Sequence, residues 1–178
     1  MTTIVSPFKA NSSANWNAVS SDMARMSHFC RQWRLKPSTS KTISSVFHLH
    51  NTSATRELSV YLDGQRLWHE CHPTYLGVTL DHTLSYRVHL TKTAGKLKNR
   101  NNLLMKLASS TWGNTLRSSA LALCYSVAEY CAPVWSRSAH TSQVDVQLNS
   151  TMRLISGTLH STPLPWFRVL SNIEPPAL

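Results

Sequence analysis

The sequence predicts an α+β protein, in which an N-terminal helix and a small antiparallel sheet precede a bundle of helices. Three observations lead to this fold class. Apolar residues recur at steps of three and four from Trp16 to Trp33, as on one face of a helix. Strand-forming residues follow, around an Asp63-Gly64 pair that is typical of a two-residue hairpin turn. After Asp81 the apolar spacing becomes helical and stays so.

The first helix is expected to begin at Ser12 or Ser13, whose side chains can cap it, and to end before Pro37. Its predicted apolar face consists of Trp16, Val19, Met23, Met26, Cys30 and Trp33.

Strands are predicted over residues 42–49 and 58–62, and the Asp63-Gly64 turn returns the chain over residues 65–68. Residues 74–80 are predicted to form a further single strand with Gly77 inside it.

Three longer helices and a short one are predicted after the strands. The first covers about 85–109, with an apolar stripe of Leu90, Ala94, Leu97, Leu104 and Leu107. The second, over residues 114–129, is apolar on most sides and should be central. The third begins at Thr141 or Ser142 and ends at Gly157, and Pro165 begins the short last helix.

These elements suggest a loose N-terminus over residues 1–12, an α+β region over 13–82 and a helical region over 83–178. No internal repeat is visible.

The charge is strongly one-sided, with 18 Lys and Arg against 8 Asp and Glu and a formal net charge of +10. A chain this basic usually binds a polyanion, and nucleic acid is the first expectation. The alternatives are a solvated basic surface without a partner and attachment to an acidic membrane.

The sequence is typical of an intracellular protein of the nucleus or cytoplasm rather than a secreted one. The four cysteines (Cys30, Cys71, Cys124 and Cys131) form no Cys-x-x-Cys pair, as expected for reduced thiols. Residues 1–10 lack the apolar core of a signal peptide. Residues 120–135 are apolar but contain Glu129 and Pro133, so a buried helix is expected and no membrane contact.

Two short boxes carry the most information about function. They are residues 33–42 (WRLKPSTSKT) and residues 75–81 (YLGVTLD), with a long basic helix after the second. Four further segments support them: residues 92–97 (KTAGKL), 102–107 (NLLMKL), 128–135 (AEYCAPVW) and 154–159 (LISGTL). From about Trp16 onwards, the chain resembles the C-terminal palm and thumb of a reverse transcriptase from a non-LTR retrotransposon of the LINE-like, jockey type.

The resemblance implies a role for each box. Residues 33–42 match the polymerase motif that follows the catalytic aspartates, and Lys41 matches its lysine, a possible general acid for the leaving pyrophosphate. Residues 75–81 match the primer grip, with Tyr75, Leu76, Gly77 and Val78 as its candidate residues. The alternatives are a surface lysine in the first box and apolar packing in the second.

The basic helix matches the duplex-binding thumb. Residues 82–128 contain no Asp or Glu but seven cations, which are expected to bind an RNA–DNA or RNA duplex by its phosphates. They are Arg87, Lys92, Lys96, Lys98, Arg100, Lys106 and Arg117. The sequence places Lys92, Lys96 and Arg100 opposite the leucine stripe; a solvated basic face is the alternative.

An intact polymerase site is not expected from this chain alone. Template-directed polymerisation uses two metal ions held by aspartates, and no two acidic residues are adjacent in this sequence. The complete enzyme would use Mg²⁺, whereas this chain alone is expected to bind no cofactor and to be inactive. The expected function is therefore that of a fragment, which the missing fingers and palm would complete. A stand-alone nucleic-acid-binding module and a decayed reading frame are the two alternatives.

Histidines near the second box offer a weaker signal for a metal. His69, Glu70, Cys71 and His72 lie together, with His48 and His50 upstream, but their spacing matches no common zinc pattern. Scattered surface and loop histidines are the preferred interpretation.

Overall fold

The computed structural model describes residues 14–47, 59–108, 114–159 and 161–173. The chain divides into two compact units, residues 1–84 and 85–178. The first unit combines one long helix with short strands, and the second is helical, as the α+β prediction requires. The predicted loose N-terminus and the predicted caps at Ser12 or Ser13 lie outside the described residues.

In the first unit, helix α1 (Ala14–Gln32) packs against strand β2 (Tyr61–Leu62). The side chains of Val19, Met23 and Met26 are half-buried on this side, as the apolar spacing predicted. Trp33 is different. The helix ends at Gln32, and the Trp33 side chain is 64% exposed. The prediction that Trp33 closes the apolar face was therefore wrong.

The β2–β3 hairpin forms at the predicted turn. Tyr61 pairs with Arg66 and Leu62 with Gln65, which places Asp63 and Gly64 at the turn. Both turn residues have positive φ (49° and 78°), which suits the right-handed twist of the two strands. Strand β3 spans Gln65–Arg66, and Leu62 and Leu67 are among the buried residues of this unit.

The predicted antiparallel sheet is not what forms from the remaining strands. Strand β1 (Ile43–Ser44) pairs in parallel with β4 (Trp68–His69), and the strands make three separate two-stranded ladders. A parallel pair needs a long connection, and here the connection includes the β2–β3 hairpin. Of the strand predicted over 42–49, only Ile43–Ser44 is extended and paired; residues 48–49 lie outside the described part.

The strand predicted over residues 74–80 is instead a second hairpin. Strand β5 (Thr74–Tyr75) pairs antiparallel with β6 (Val78–Thr79), and Leu76-Gly77 forms the turn. Leu76 and Gly77 have φ values of 46° and 80°. Positive φ at both central residues is the backbone of a tight hairpin turn, and the glycine makes it accessible.

The second unit contains the predicted helices with shorter pieces between them. Its helices are α2 (Arg87–Ala108), α3 (Asn114–Ala120), α4 (Ser126–Glu129), α5 (Ala132–Trp135), α6 (Ser142–Ser156) and α7 (Leu164–Ser171). The helix predicted over 114–129 is interrupted by a π-helical segment, Leu121–Tyr125. Gly157 ends α6 at φ 64°, and Pro165 lies in the first turn of α7, both as predicted.

One apolar core holds this unit together. Its members come from every helix and share near-complete burial; they are Leu90, Leu97, Leu104, Leu116, Ala120, Cys124, Tyr125, Ala128, Ala132, Trp135, Val144, Leu148, Met152, Phe167 and Ile173. Leu107, which the sequence placed in the stripe, is 37% exposed. Asn101 is buried on that face of α2 instead.

Asn101 is the centre of a buried polar network between three elements. Its side-chain Nδ2 donates to the Gln147 carbonyl of α6 at 2.9 Å. Its Oδ1 accepts from the Thr151 hydroxyl at 2.7 Å and from the Cys124 thiol at 3.6 Å. The network therefore joins α2, α6 and the π-helical segment. In the described part of the chain, no helix has both the length and the apolar character needed to cross a bilayer.

Candidate nucleic-acid interface

The β5–β6 hairpin presents most of the predicted primer-grip residues to solvent. Tyr75 is 44% exposed and Leu76 at the tip is 71% exposed, whereas Val78 is buried at 5%. The ladder is closed by the Leu80 amide, which donates to the Pro73 carbonyl at 2.9 Å. Tyr75, Leu76 and Gly77 thus form an exposed apolar tip, and Val78 anchors it.

Lys41 lies in a short, well-bonded turn before β1. The turn is the 3₁₀ segment Thr39–Lys41, and the Lys41 amide donates to the Ser38 carbonyl at 3.2 Å. The hydroxyl of buried Thr42 donates to the same carbonyl at 2.7 Å. The Lys41 side chain is exposed. Its role as a general acid stays a prediction.

Helix α2 carries the predicted thumb cations on different sides. Residues 92, 96, 99, 103 and 106 follow one another at alternating steps of four and three, so they lie on one face. All five side chains on that face are exposed, and we call them the lysine stripe: Lys92, Lys96, Asn99, Leu103 and Lys106. At 1.5 Å per residue the stripe is about 21 Å long. Arg87 and Lys98 are exposed but lie off this face.

Two of the predicted cations have structural contacts inside the helical unit. The Arg100 guanidinium donates to the Leu123 carbonyl in the π-helical segment and is partly buried, whereas Lys92 and Lys96 are exposed. The Arg117 guanidinium donates to the Asn172 carbonyl at 2.7 Å and to the Ser171 carbonyl at 3.3 Å. Both side chains therefore satisfy backbone carbonyls near helix irregularities and helix ends.

The positive charge of the stripe lowers the pKa of a neighbouring histidine. His89 is buried on α2, and burial lowers the pKa of its imidazole, with further lowering by the positive charges of Lys96 and Lys92. The two lysines thus create a positive potential that disfavours another cation beside them. The same potential favours a phosphate.

Three histidines of the first unit lie together instead of being scattered. The His69 and His82 rings are nearly parallel with centroids 6.2 Å apart, and His72 meets His82 edge-on at 6.2 Å. The His82 Nδ1 atom lies 3.1 Å from the Val46 carbonyl oxygen. Within the described ranges, no three His, Cys, Asp or Glu side chains are arranged to hold a metal ion. His48 and His50 lie outside those ranges.

Comparison with known proteins gives one informative match. A probable RNA-directed DNA polymerase from transposon BS of Drosophila melanogaster is 28% identical to this chain over 139 residues. The chain is similar to a transposon reverse transcriptase. The matched region covers 75% of this chain but 15% of that protein. No protein-family model and no solved structure matches the chain.

The match supports the relationship to reverse transcriptases that the two boxes suggested. Sequence reasoning from charge missed Asn99 and Leu103, the two uncharged members of the lysine stripe. The alternating steps of three and four from Lys92 were the signal that could have found them.

Replacing Gly77 by alanine is expected to destabilise the first unit by about 1–2 kcal/mol, because φ near 80° is costly for any residue with a Cβ. Urea unfolding followed by circular dichroism measures this. The matched control is Gly95→Ala in α2, where a Cβ meets open space and the helix gains stability by up to about 1 kcal/mol. Equal stability of the Gly77 variant and the unsubstituted chain would contradict a hairpin turn at this position.

Proposed function

We propose that this chain supplies the primer-holding hairpin and the duplex-binding thumb helix of an RNA-directed DNA polymerase from a non-LTR retrotransposon. The lysine stripe is the observation that carries the proposal. It places three ammonium groups along about 21 Å of one helix face, and α2 contains no acidic residue. Double-stranded nucleic acid carries about one charge per 1.7 Å, so a duplex alongside the stripe would offer a phosphate to each lysine.

The uncharged members of the stripe fit the same partner. Asn99 can donate its amide to a phosphate or sugar oxygen, and Leu103 adds apolar contact between the lysines. None of these groups reads a base edge in a defined pattern, so the proposed binding is indifferent to sequence. The proposed ligands are RNA–DNA and RNA duplexes.

The hairpin tip supports the primer-holding part of the proposal. Gly77 has no side chain, and the two residues before it, Tyr75 and Leu76, are exposed. A sugar–phosphate backbone can therefore come close to the main chain at Gly77 while its sugar packs on apolar side chains. Val78 keeps the hairpin in place from the buried side.

Binding rather than nucleotide transfer is the role we assign to the chain by itself. Transfer needs paired aspartates for two Mg²⁺ ions, and the sequence has no adjacent acidic residues. In a complete polymerase, Lys41 would act as the general acid that protonates the leaving pyrophosphate. The fingers and the remaining part of the palm would be the partners of this chain.

The stripe is tested by duplex binding at several salt concentrations. The variant Lys92→Ala/Lys96→Ala removes two stripe cations, and Arg66→Ala/Arg137→Ala removes two exposed cations elsewhere. Binding is measured by fluorescence anisotropy with a 20-base-pair RNA–DNA duplex. The association constant falls with salt, and in the stripe variant the slope of its logarithm against log salt should become shallower by about two. The control should leave that slope within about half a unit.

His89 provides a second readout of the same contact. A phosphate beside Lys92 and Lys96 would offset their positive charge, so duplex binding should raise the His89 pKa in an NMR titration. An unchanged salt slope in the stripe variant, together with an unchanged His89 titration, would rule α2 out as the duplex site.

A stand-alone duplex-binding module is the second candidate, and the separate apolar core of residues 85–178 favours it. The two functions differ in what they expect of the hairpin. A primer grip predicts tighter binding to a duplex with a recessed 3′ end than to a blunt duplex, and Leu76→Ser should abolish that preference. A stand-alone module predicts equal affinity for both duplexes.

A further inference from the structure

We infer that the C-terminal end of α1 binds an unpaired nucleic-acid strand, by stacking its bases on Phe29 and Trp33. This surface lies in the first unit, apart from the lysine stripe in the sequence. It goes beyond the duplex binding proposed above and does not depend on it. We call it the aromatic patch: Phe29 and Trp33 with the cations Arg25, Arg34 and Lys36.

The two rings are exposed next to each other. Phe29 is 52% exposed and Trp33 is 64% exposed, and their centroids are 6.0 Å apart with ring planes tilted by 45°. They are four residues apart, and the Trp33 amide still donates to the Phe29 carbonyl at 3.0 Å, so both rings rise from the same side of the helix end. Single exposed apolar residues are common, but a pair of adjoining aromatic rings offers a surface for a flat partner.

Cations flank the two aromatic residues in the sequence. Arg25 lies one turn before Phe29, Arg34 directly follows Trp33, and Lys36 lies three residues after Trp33; all three side chains are exposed. The sequence from 25 to 36 contains no Asp or Glu. Arg31 lies in the same segment but meets the Asp63 carboxylate at 3.6 Å, so we leave it out of the patch.

The backbone at Arg34 adds an independent observation. The Arg34 amide donates to the Arg31 carbonyl at 3.1 Å, and the Leu35 amide donates to the Cys30 carbonyl at 2.7 Å. This is the Schellman ending of a helix, whose left-handed position is usually occupied by glycine. Here Arg34 occupies it with φ 54°, a conformation that is unfavourable for a residue with a Cβ. Sparsely populated backbone conformations of this kind cluster at functional sites.

Complementing the helix dipole is the simplest other explanation for the cations, since positive charges stabilise a helix C-terminus. It does not explain why two aromatic rings are exposed among them. Base stacking explains both: rings bind bases through their faces, and arginine and lysine bind the phosphates of the same strand. Bases in a duplex have their faces covered, so the matching ligand is single-stranded.

The test compares binding of a 12-nucleotide oligothymidine strand and a blunt 12-base-pair duplex by fluorescence anisotropy. Phe29→Ala/Trp33→Ala should weaken single-strand binding at least tenfold and duplex binding less than twofold. The matched control is Trp68→Ala, which removes a tryptophan that is 72% exposed elsewhere in the unit, and it should leave both affinities unchanged. Unchanged single-strand binding in the double variant, or equal losses for strand and duplex, would overturn the inference.

Arg34→Gly separates binding from folding. Glycine suits φ 54°, so this variant should have a melting temperature equal to or above that of the unsubstituted chain, while binding the single strand several-fold more weakly. A raised melting temperature with unchanged strand binding would overturn the part of the inference that assigns Arg34 to strand binding. Binding of an acidic peptide that depends on Phe29 and Trp33, without strand binding, would assign the patch to a protein partner and overturn the inference. The Lys92→Ala/Lys96→Ala variant should keep its single-strand affinity, so failure of the duplex proposal would be seen separately.

Discussion

Replacing Trp135 by alanine is expected to destabilise the helical unit by about 3–5 kcal/mol, a large part of the stability of a domain this size. Among the described residues, Trp135 is the largest fully buried side chain, at 1% exposure. Its indole N–H donates at 3.2 Å to the carbonyl of Tyr130, which lies in the short link between α4 and α5. Alanine would leave a cavity and remove this hydrogen bond at once. Urea unfolding monitored by circular dichroism measures the loss.

Trp166→Ala is the matched control for that prediction. It removes the same side chain from α7, where the indole is 58% exposed, and we expect a loss below about 1 kcal/mol. A loss below 1 kcal/mol for Trp135→Ala as well would contradict a packed core around α5. A chain from a decayed reading frame would instead unfold without a cooperative transition, before any substitution is made.

Alkaline pH is expected to destabilise the helical unit through Tyr125. Burial is the main cause that raises the pKa of its phenol to about 12, with smaller contributions from the charges of Cys124 and Glu129. An unfolded tyrosine loses its proton near pH 10, so between about pH 10 and 12 the folded state binds more protons than the unfolded state. The stabilisation that comes from the raised Tyr125 pKa is therefore fully present below pH 10. It is lost as the pH rises through about 12, which lowers the free energy of unfolding by up to about 3 kcal/mol.

Tyr125→Phe isolates this effect. Among the described residues the Tyr125 hydroxyl has no hydrogen-bond partner, so we expect phenylalanine to be neutral or to stabilise by about 1 kcal/mol at pH 7. Unfolding free energies at pH 8, 10 and 12 should then fall less steeply than those of the unsubstituted chain. Burial also raises the pKa of the Cys124 thiol, so part of the loss of stability at alkaline pH should remain in this variant. Parallel pH profiles for the two proteins would contradict the Tyr125 assignment.

Local sequence signals predicted much of the fold, because they depend on residues close together in the chain. The periodic helices α1, α2 and α6, the Asp63-Gly64 turn and the stop at Gly157 all belong to this group. The parallel pairing of β1 with β4 joins residues about 25 positions apart, and periodicity carries no information on such partners. The Leu76-Gly77 turn was missed because leucine rarely occupies a positive-φ position.

The sequence predicted which basic residues belong to the candidate interface region, but it did not predict which atoms their side chains contact. Charge alone identified Lys92 and Lys96, and their exposure agrees with an outward face. Arg100 and Arg117 carry the same charge, yet they bind carbonyls of residues 123, 171 and 172. Those carbonyls are made available by a π-helical segment and a helix end, and neither feature can be located from the spacing of basic residues.

The buried amide of Asn101 sets the direction in which the lysine stripe points. Rotating α2 about its own axis, or sliding it by one turn, would separate Asn101 from Gln147, Thr151 and Cys124 together. Each buried polar group that lost its hydrogen bond would lower the free energy of unfolding by about 1–3 kcal/mol. Other rotational positions of the helix are therefore strongly disfavoured. A leucine at this position would make only non-directional apolar contacts, so it would tolerate several rotational positions of the helix. The orientation of the three surface lysines thus depends on a buried side chain that a bound nucleic acid would not contact.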